Sequence, residues 1–299
     1  MPPGATGAGA GAGRVAAVVV DYRAADVLAD CVRSLLDEPV AEVVVVENGP
    51  AGPTRRALAD ADLSVPLLVT GNNLGYGAGA NRGIAALALD GDGRAVEMVL
   101  VCNPDLRLHP GAVSALVAAL DAEPAWAIVG PRILTPDGAT YPSVRAFPSM
   151  IDAAGHALLA LFKPDNRFSR RYRPMDGGGG GRGEADWVSG ACFLARRSAL
   201  EELGGFDESY FMFAEDMDLC WRAKQAGWVV GVQPAAVVTH AEGVSRSRHP
   251  YRMVVAHHRS ALRFANRTTT GWRRVALPAA AAVLGVRFVM ACVNVTLHR

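Results

Sequence analysis

Three carboxylates lie within four residues, at Glu215, Asp216 and Asp218, where the sequence predicts the start of a helix. Acidic caps and dipole complementarity account for one or two of them. The residues just before them, 211–213, are apolar, and a carboxylate beside such a segment loses part of its hydration. Desolvation raises a carboxyl pKa and makes the group a better general base. We therefore predict that one of these carboxylates removes a proton from a substrate.

A fourth carboxylate, Asp105, follows a buried apolar run in the tripeptide Asn103-Pro104-Asp105. Alone, this tripeptide is an ordinary turn. At the end of a strand it presents an oxygen ligand to a hard divalent cation that also contacts phosphate. His240 ends a later predicted strand, and a single histidine is more often structural than a ligand. Beside a cation held by Asp105 it fits as a second ligand, so the pair predicts an Mg²⁺ or Mn²⁺ site.

A glycine-rich stretch, residues 72–83, lies between a predicted strand and a predicted helix. Glycines there let the backbone approach a diphosphate at a helix N-terminus. Gly75, Gly77 and Ala80 also satisfy the G-x-G-x-x-A pattern of dinucleotide-dependent oxidoreductases. That pattern belongs to the first strand-to-helix turn, whereas here it follows the third predicted strand. The position favours a nucleotide sugar over a dinucleotide, and a purely structural turn is the third alternative.

These residues are positioned by alternating strands and helices. Unbroken apolar runs, typical of parallel strands buried on both faces, predict strands at 14–21, 42–47, 65–70 and 98–102. Helical spacing separates them, which predicts an α/β layer with ligands at the carboxyl ends of the strands. Polar residues stand at these ends, namely Asp21, Glu47, Asn72, Asn73, Asn103 and Asp105.

The chain changes character after residue 130. Residues 133–186 are rich in proline, arginine and aromatic residues, and the five glycines at 177–181 predict a flexible connector or mobile loop. Further elements are predicted beyond it: strands at 187–195, 229–232 and 237–240, and helices at 197–203, 216–225, 251–266 and 271–297.

The net charge of +1 conceals an uneven distribution. From Trp221 to Arg299 there are 12 basic residues and one acid, so this quarter carries +11 and the first 220 residues carry −10. The near-neutral total argues against a dedicated nucleic-acid binder. The basic end predicts an anionic partner there.

The five cysteines are widely spaced and form no C-x-x-C pair. This pattern predicts reduced thiols in a cytosolic protein rather than a disulfide framework or a zinc site. Residues 1–13, rich in glycine and alanine, predict a loose arm rather than a signal peptide.

The last apolar stretch, residues 275–295, is alanine-rich and interrupted by Pro278 and Arg287. A spanning helix needs about 20 strongly apolar residues. We therefore expect a helix that lies in the membrane interface or packs on the body, with spanning as the less favoured alternative. At a membrane surface, Arg273 and Arg274 contact anionic headgroups.

In their order, these blocks resemble the family 2 inverting glycosyltransferases of the GT-A fold. The resemblance covers about residues 15–267. The motifs that carry it are Val20-Asp21-Tyr22, Val46-Glu47-Asn48-Gly49, Asn73-Leu74-Gly75-Tyr76-Gly77 with Asn81, Asn103-Pro104-Asp105, Trp187-Val188-Ser189-Gly190-Ala191-Cys192, Gly204-Gly205-Phe206-Asp207-Glu208, Glu215-Asp216 and His240. Glu47 departs from the pattern, since the family usually has aspartate at that position.

The resemblance implies an α/β fold, a Rossmann-like nucleotide-sugar-binding GT-A sheet with helices on both faces and a C-terminal helical extension. The GT-A domain then spans residues 14–249, with a nucleotide-binding half at about 14–130 and an acceptor half at about 187–249. Residues 1–13 form a disordered arm, and residues 250–299 form membrane-associating helices.

The resemblance also implies residue roles. Asp216 is the catalytic base, Glu215 orients the acceptor or the metal, and Asp105 with His240 holds the metal. The nucleotide sugar is contacted by Asp21, Tyr22, Glu47, Asn48, Asn73, Gly75, Tyr76, Gly77, Asn81, Asn103 and Asp105. The acceptor and its diphosphate are contacted by Trp187, Ser189, Gly190, Arg252, His257 and Arg259; for any one of the last three, a solvated basic face is the alternative.

Within the family, the middle segment is most similar to the actinobacterial rhamnosyltransferases of cell-wall linker assembly. The motifs are residues 136–145, Phe147-Pro148-Ser149, His156 and Ala256-His257-His258-Arg259-Ser260. The similarity implies dTDP-rhamnose as donor and a polyprenyl-diphosphate-linked GlcNAc as acceptor, used by a cytoplasmic enzyme peripheral on the inner face of the plasma membrane. Related enzymes use other donors, such as UDP-galactofuranose, on similar lipid acceptors.

Other classes of protein fit less well. A dinucleotide-dependent oxidoreductase needs a second dinucleotide half, which nothing in the sequence marks. A catalytically inactive sugar-nucleotide-binding protein has no need of both base and metal ligands. A glycoside hydrolase needs two carboxylates facing each other across a cleft, and the strand end at Asp105 does not supply that arrangement.

Overall fold

The computed structural model describes residues 13–87, 96–147, 182–241 and 250–297. The predicted arm (but for residue 13), the five-glycine connector at 177–181 and the motif residues 148, 149 and 156 lie outside these ranges. The described strands are β1 (Val15–Asp21), β2 (Glu42–Glu47), β3 (Leu67–Val69), β4 (Met98–Cys102), β5 (Leu106–Leu108), β6 (Trp126–Leu134), β7 (Val144–Arg145), β8 (Gly183–Ala185), β9 (Trp187–Val188), β10 (Cys192–Arg196) and β11 (Val229–His240). The described helices are α1 (Ala25–Leu36), α2 (Pro53–Asp60), α3 (Tyr76–Ala86), α4 (Ala112–Ala122), α5 (Arg197–Leu203), α6 (Glu215–Gln225), α7 (Pro250–Thr268) and α8 (Leu277–Leu297), with a 3-10 helix at Gly271–Ala276.

A nine-stranded mixed sheet forms the centre of the molecule. Its strands follow the order β3-β2-β1-β4-β10-β6-β11-β5, and β8 pairs with β11. The first four strands are parallel, as the unbroken apolar runs predict. Strand β10 runs antiparallel between β4 and β6, and β11 is parallel to β6. The predicted α/β sheet is therefore confirmed, and its second half is mixed.

Helices cover both faces of this sheet. In β1, residues 15, 17 and 19 pack into one hydrophobic core with α1 and α4. Residues 16, 18 and 20 pack into a second core with α3, α5 and α6. Successive side chains of a strand point to opposite faces, so burial on both faces requires an unbroken apolar run rather than an alternating one.

Several element bounds differ from the sequence predictions. The two strands predicted at 229–232 and 237–240 are one strand, β11, with a register shift between Gln233 and Val237. Pro234 lacks a backbone N–H and interrupts the ladder, and the strand accommodates it as an irregularity instead of ending. The predicted helix at 271–297 begins as a 3-10 helix and becomes α-helical only at Leu277. The strand predicted at 187–195 is two strands, β9 and β10, which belong to different sheets. Helix α4 and strands β5, β6, β7 and β8 are additions to the predicted elements.

The topology brings distant parts of the chain to one edge of the sheet. Antiparallel pairing of β11 with β5 sets His240 opposite Leu106, next to the turn that carries Asp105. Helix α6 begins at Glu215 near this edge, and α7 and α8 pack against each other beside it. The five cysteines are all free, as predicted.

Candidate active site

A cavity of about 450 Å³ opens at the carboxyl ends of β1, β2 and β4. Three groups of residues line it. The strand ends and the loop after β3 contribute Tyr22, Asn48, Asn73, Asn103 and Asp105; the start of α6 contributes Glu215 and Asp216; and α7 and α8 contribute a third wall. The cavity lies at the edge of the sheet where the sequence predicts ligand binding, and ligand binding there stays a prediction.

Asp216 lies in this cavity with its carboxylate fixed by two backbone donors. The Gly190 N–H donates to Asp216 Oδ2 at 2.7 Å, and the Met217 N–H donates to Oδ1 at 2.8 Å. Burial raises the pKa of Asp216, while these N–H groups and the charge of Arg145 lower it. A partly buried carboxylate held in one orientation, and more basic than an exposed one, is suited to general-base chemistry.

Glu215 lines the same cavity in a more apolar setting. The residue is 6% exposed, and its Oε2 has no hydrogen-bond partner among the described residues. Burial, and then the neighbouring Asp216 carboxylate, raise the pKa of Glu215 to about 8. Because Asp216 has two backbone donors, negative charge is better accommodated there. At neutral pH the pair therefore holds one proton, on Glu215, and one charge, on Asp216.

The third carboxylate of this group, Asp218, has a different environment. It is fully buried, accepts from Arg222 Nε at 2.7 Å and lies 3.2 Å from Arg267 Nη1. The Tyr210 hydroxyl donates to it at 3.3 Å. Asp218 therefore ties α6 to α7 and does not reach the cavity.

The segment before α6 is held in an unusual conformation. Phe213 and Ala214 have backbone φ angles of 70° and 63°, which residues other than glycine rarely adopt. The Phe211 carbonyl accepts from the Tyr76 N–H at 3.1 Å, and a Cβ on Gly75 would lie 2.3 Å from that carbonyl oxygen. The glycine-rich loop and the base-bearing helix thus meet through a contact that only glycine permits at position 75. Strained backbone of this kind is common at active sites.

Asp105 and His240 are adjacent, as predicted for a metal site. His240 Nε2 lies 3.0 Å from Asp105 Oδ1, and both side chains are buried. His240 Nδ1 has no partner among the described residues. No group of three or more metal-ligating side chains occurs in the described ranges. Two ligands suit a hard divalent cation that takes its remaining ligands from phosphate oxygens and water. For Nε2 to ligate it, the ring proton must reside on Nδ1.

The loop at residues 72–75 is built around two asparagine side chains. Asn48 donates to the Gly75 carbonyl at 2.9 Å and accepts from the Leu74 N–H at 3.1 Å. Asn73 accepts from the Gly75 N–H at 2.9 Å. Asn48 and Asn73 also line the cavity, so they hold the loop while exposing polar atoms to a ligand.

Two other predicted residues of this loop act as scaffold. Asn81 exchanges hydrogen bonds with the Phe206 backbone, its Nδ2 donating and its Oδ1 accepting, both at 2.9 Å. A Cβ on Gly77 would lie 2.9 Å from Phe206 Cβ. Neither residue lines the cavity, in contrast to Tyr76. Their predicted contact with the nucleotide sugar stays a prediction.

Asp21 and Glu47 are buried just outside the cavity. Asp21 accepts from the Ala24 N–H at 2.9 Å and from Thr54 Oγ1 at 2.5 Å. Glu47 accepts from the N–H groups of Gly52 and Thr54. Both carboxylates thus hold the start of α2 beside the ends of β1 and β2, and their predicted contact with the nucleoside also stays a prediction.

The residues predicted for the acceptor fall into two groups. Trp187, Ser189, Gly190 and His257 line the cavity. Arg252 and Arg259 are exposed on α7 and do not line it, and their predicted contact with the acceptor stays a prediction.

Two arginines not singled out for the site do line the cavity, Arg145 and Arg287. The Arg145 guanidinium lies 5.2 Å from the centre of the Trp187 ring. Arg287 is the charged residue that interrupts the apolar stretch of α8, and that interruption was the available sequence signal. An arginine within an apolar helix is expected to face a polar interior rather than lipid.

Glu215→Gln is expected to make stability less dependent on pH. Between the ordinary value of 4.5 and about 8, the folded protein keeps a proton on Glu215 that the unfolded chain releases. The wild type therefore loses stability as pH rises through this window, by at most roughly 1.4 kcal/mol per pH unit. Glutamine is neutral in both states. Urea unfolding at pH 5 and pH 8 measures the effect; an equal loss in both proteins would contradict it.

A GT-A sheet with a strand-end aspartate, a buried carboxylate at a helix start and a cavity between them defines a nucleotide-sugar glycosyltransferase. The family described as "Glycosyltransferase like family 2" matches residues 12–268. The chain belongs to this family, which confirms the resemblance and sets aside the oxidoreductase alternative.

Relatives and solved structures agree with this assignment. The chain is 40% identical over 248 residues to the N-acetylglucosaminyl-diphospho-decaprenol L-rhamnosyltransferase of Mycobacterium tuberculosis, covering 82% of this chain and 80% of the relative. It is 28% identical to the hexosyltransferase Agl10 of Haloferax volcanii, covering 70% and 62%. A structure of GalNAc-T7 with UDP, GalNAc and Mn²⁺ matches with a TM-score of 0.58 at 14% identity, covering 84% of this chain and 47% of that one. A structure of S. aureus TarS matches with a TM-score of 0.53 at 14% identity, covering 91% and 70%. These two structures confirm the GT-A fold.

Proposed function

We propose that the protein transfers L-rhamnose from dTDP-rhamnose to a GlcNAc that is joined through a diphosphate to a polyprenol, in cell-wall linker assembly. The observation that carries this proposal is the 40% identity, over most of both chains, to the M. tuberculosis enzyme named for that acceptor. The cavity supports it, because it combines a base with polar residues at the nucleotide side and an apolar wall at the other.

The proposed reaction is a single displacement. Asp216 takes the proton of an acceptor hydroxyl, and the oxygen attacks the anomeric carbon of the donor sugar. The bond from that carbon to the diphosphate oxygen breaks, and dTDP leaves with the electron pair. Attack from the face opposite the leaving group inverts the configuration, and no enzyme nucleophile is required. The two backbone donors on Asp216 support this role, because they fix the direction in which the carboxylate accepts the proton.

Glu215 has a separate part in this proposal. Protonated at neutral pH, it donates a hydrogen bond to the acceptor sugar beside Asp216 instead of adding a second negative charge. Its unpartnered Oε2 and its place in the cavity support this assignment.

Asp105 and His240 are proposed to hold an Mg²⁺ or Mn²⁺ ion against the donor diphosphate. When bound, such an ion offsets the charge that develops on the departing diphosphate. The adjacency of the two side chains and the Mn²⁺ in the GalNAc-T7 structure support this cofactor. Around it, Tyr22, Asn48 and Asn73 are placed to contact the nucleotide, and Trp187 and Ser189 to contact the acceptor.

The proposed acceptor is embedded in a membrane, so we propose that the enzyme works on the cytoplasmic face of the plasma membrane as a peripheral protein. In the described part of the chain, one helix, Gly271–Val293, is long and apolar enough to cross a membrane. Trp272 and Val275 at its start are 80% and 78% exposed. Arg273 and Arg274 between them suit contact with anionic headgroups.

A donor screen tests the proposed function. Incubated with polyprenyl-diphospho-GlcNAc, the protein is expected to transfer sugar from dTDP-rhamnose at least roughly tenfold faster than from UDP- or GDP-sugars, since a site built for one donor leaves polar groups unpaired with another. Mass spectrometry of the lipid product measures the transfer. Product only from UDP-galactofuranose would favour that donor instead and leave the family assignment intact.

A further inference from the structure

The third wall of the cavity differs in chemistry from the other two. Helix α7 contributes Ala261 and Phe264, and α8 contributes Val283 and Leu284. The strand ends and the start of α6 contribute the carboxylates of Asp105, Glu215 and Asp216 to the same cavity. The α7–α8 wall is therefore apolar where the rest of the site is acidic.

Helix α8 has two distinct faces. Ala280, Val283, Leu284 and Arg287 follow the i, i+3, i+4, i+7 spacing of one helix face and line the cavity. Val286, Val289 and Val293 are 57%, 59% and 51% exposed. At 100° per residue these two sets are separated by roughly 140° around the helix. One face of α8 is thus available to an apolar environment outside, while the other lines the site.

Arg287 is the charged residue on the cavity face of α8. From residue 243 to the end the chain contains no Asp or Glu, and no ion pair involving Arg287 occurs among the described residues. Its neighbours in the cavity wall are His257 and His258. The His258 ring packs edge-on against Phe288 at 5.6 Å, which joins this cluster to α8. A cation in an otherwise apolar wall, with no carboxylate of its own, is a site for an anionic ligand group.

Arg287 is the permanently charged group of this cluster. Burial lowers the pKa of His257, although part of the residue is exposed to solvent. The neighbouring His258 and Arg287 lower this pKa further. His257 is therefore neutral at neutral pH and able to donate or accept a hydrogen bond.

We propose that this wall is the subsite for the lipid end of the acceptor. Arg287, with His257 and His258, binds the diphosphate, and Phe264, Val283 and Leu284 contact the first isoprene units. This subsite rests on the proposed function, because the lipid diphosphate that it binds is part of the acceptor proposed for the same cavity. An amphipathic lipid diphosphate matches the wall because its anion and its hydrocarbon are adjacent, as the arginine and the apolar residues are.

The same cluster is a poor match for the donor diphosphate. The donor diphosphate is assigned to Asp105 and His240 at the strand ends, together with a cation, whereas the α7–α8 wall is contributed by other elements of the chain. Two diphosphates in one cavity repel each other, so each needs its own positive group. Arg287 supplies the second one.

Binding of farnesyl diphosphate and farnesol to the full-length protein tests the subsite without any turnover. We expect the wild type to prefer farnesyl diphosphate, and Arg287→Ala to bind it roughly 10- to 100-fold more weakly with little change toward farnesol, as for loss of a charge-assisted hydrogen bond. Arg287→Lys retains part of the preference because it keeps the charge but not the planar guanidinium. Arg33→Ala is the matched control: this exposed arginine of α1 does not line the cavity and has no part in the proposed membrane contact.

Three outcomes would overturn the subsite: an unchanged preference in Arg287→Ala, an equal loss in Arg33→Ala, or an equal loss of dTDP binding in Arg287→Ala. Melting temperatures of the variants identify a folding defect. If Arg287→Ala is defective, the preference of Arg287→Lys for farnesyl diphosphate over farnesol is compared with that of the wild type instead. Failure of the proposed function is separate, because it is seen as absent rhamnose transfer by the wild type while the farnesyl diphosphate preference persists. With transfer established, Arg287→Ala is expected to raise KM for the lipid acceptor more than it lowers kcat.

Discussion

Replacing Asp216 with asparagine is expected to lower kcat by roughly two to four decades while donor binding is retained. Asparagine has nearly the same shape and keeps an oxygen for the Gly190 N–H, but it cannot accept the acceptor proton. The loss therefore falls on the chemical step, and KM for dTDP-rhamnose changes little. Steady-state kinetics with both substrates and dTDP titration by calorimetry measure the two quantities.

Two further variants make the Asp216 result specific. Asp30→Asn removes an exposed carboxylate, 82% accessible and remote from the cavity, and should leave kcat unchanged. Asp218→Asn weakens the bonds to Arg222 and Arg267, so it should lower the melting temperature more than it lowers the kcat of the folded enzyme. If Asp216→Asn kept full activity, or if it lost donor binding together with turnover, the base assignment would be wrong.

Asp105→Ala is expected to remove the dependence of donor binding on divalent cations. The wild type should bind dTDP-rhamnose more tightly with Mg²⁺ or Mn²⁺ than with a chelator. The variant should show the weaker affinity in both conditions. Removing a residue that only hydrogen-bonds to a metal-binding residue typically lowers metal affinity by roughly 10- to 100-fold, and removing the metal-binding residue itself should cost at least as much. The measurement is donor affinity by calorimetry, with and without EDTA.

The partner of Asp105 provides an internal check. His240→Ala should reduce the cation-dependent part of donor affinity in the same way, because the two side chains lie 3.0 Å apart at the same strand ends. Asp30→Ala again serves as the charge-matched control. A wild type whose donor affinity is the same with metal and with chelator would rule out the metal role for both residues.

Much of the nucleotide-binding half follows from local sequence alone. The unbroken apolar runs at 14–21 and 98–102 specify strands buried on both faces, and such strands require covering helices on either side. The residues that end these runs, among them Asn103 and Asp105, must then gather at one edge. The apolar segment before Glu215 and Asp216 likewise predicts raised carboxyl pKa values, and burial raises both.

The tertiary structure alone separates residues that the sequence makes equivalent. Glu215, Asp216 and Asp218 are close along the chain, yet of the three only Asp218 is ion-paired in the described part of the chain. Its partners are Arg222 of the same helix and Arg267, which comes from α7, 49 positions away. Similarly, the sequence alone does not show which of the five arginines of α7 and α8 lines the cavity. Because α8 packs on α7, Arg287 lines the cavity, whereas Arg252 and Arg259 lie outside it.

The charge pattern shows the same division. The sequence determines that an acidic body is followed by a basic end, which predicts an anionic partner. Only the fold decides that acidic and basic segments meet at one cavity, since helix-helix packing and the pairing of β11 with β5 are contacts between residues far apart in the chain. Local propensity fixes which segments are strands and helices, whereas the direction in which each side chain points depends on those long-range contacts.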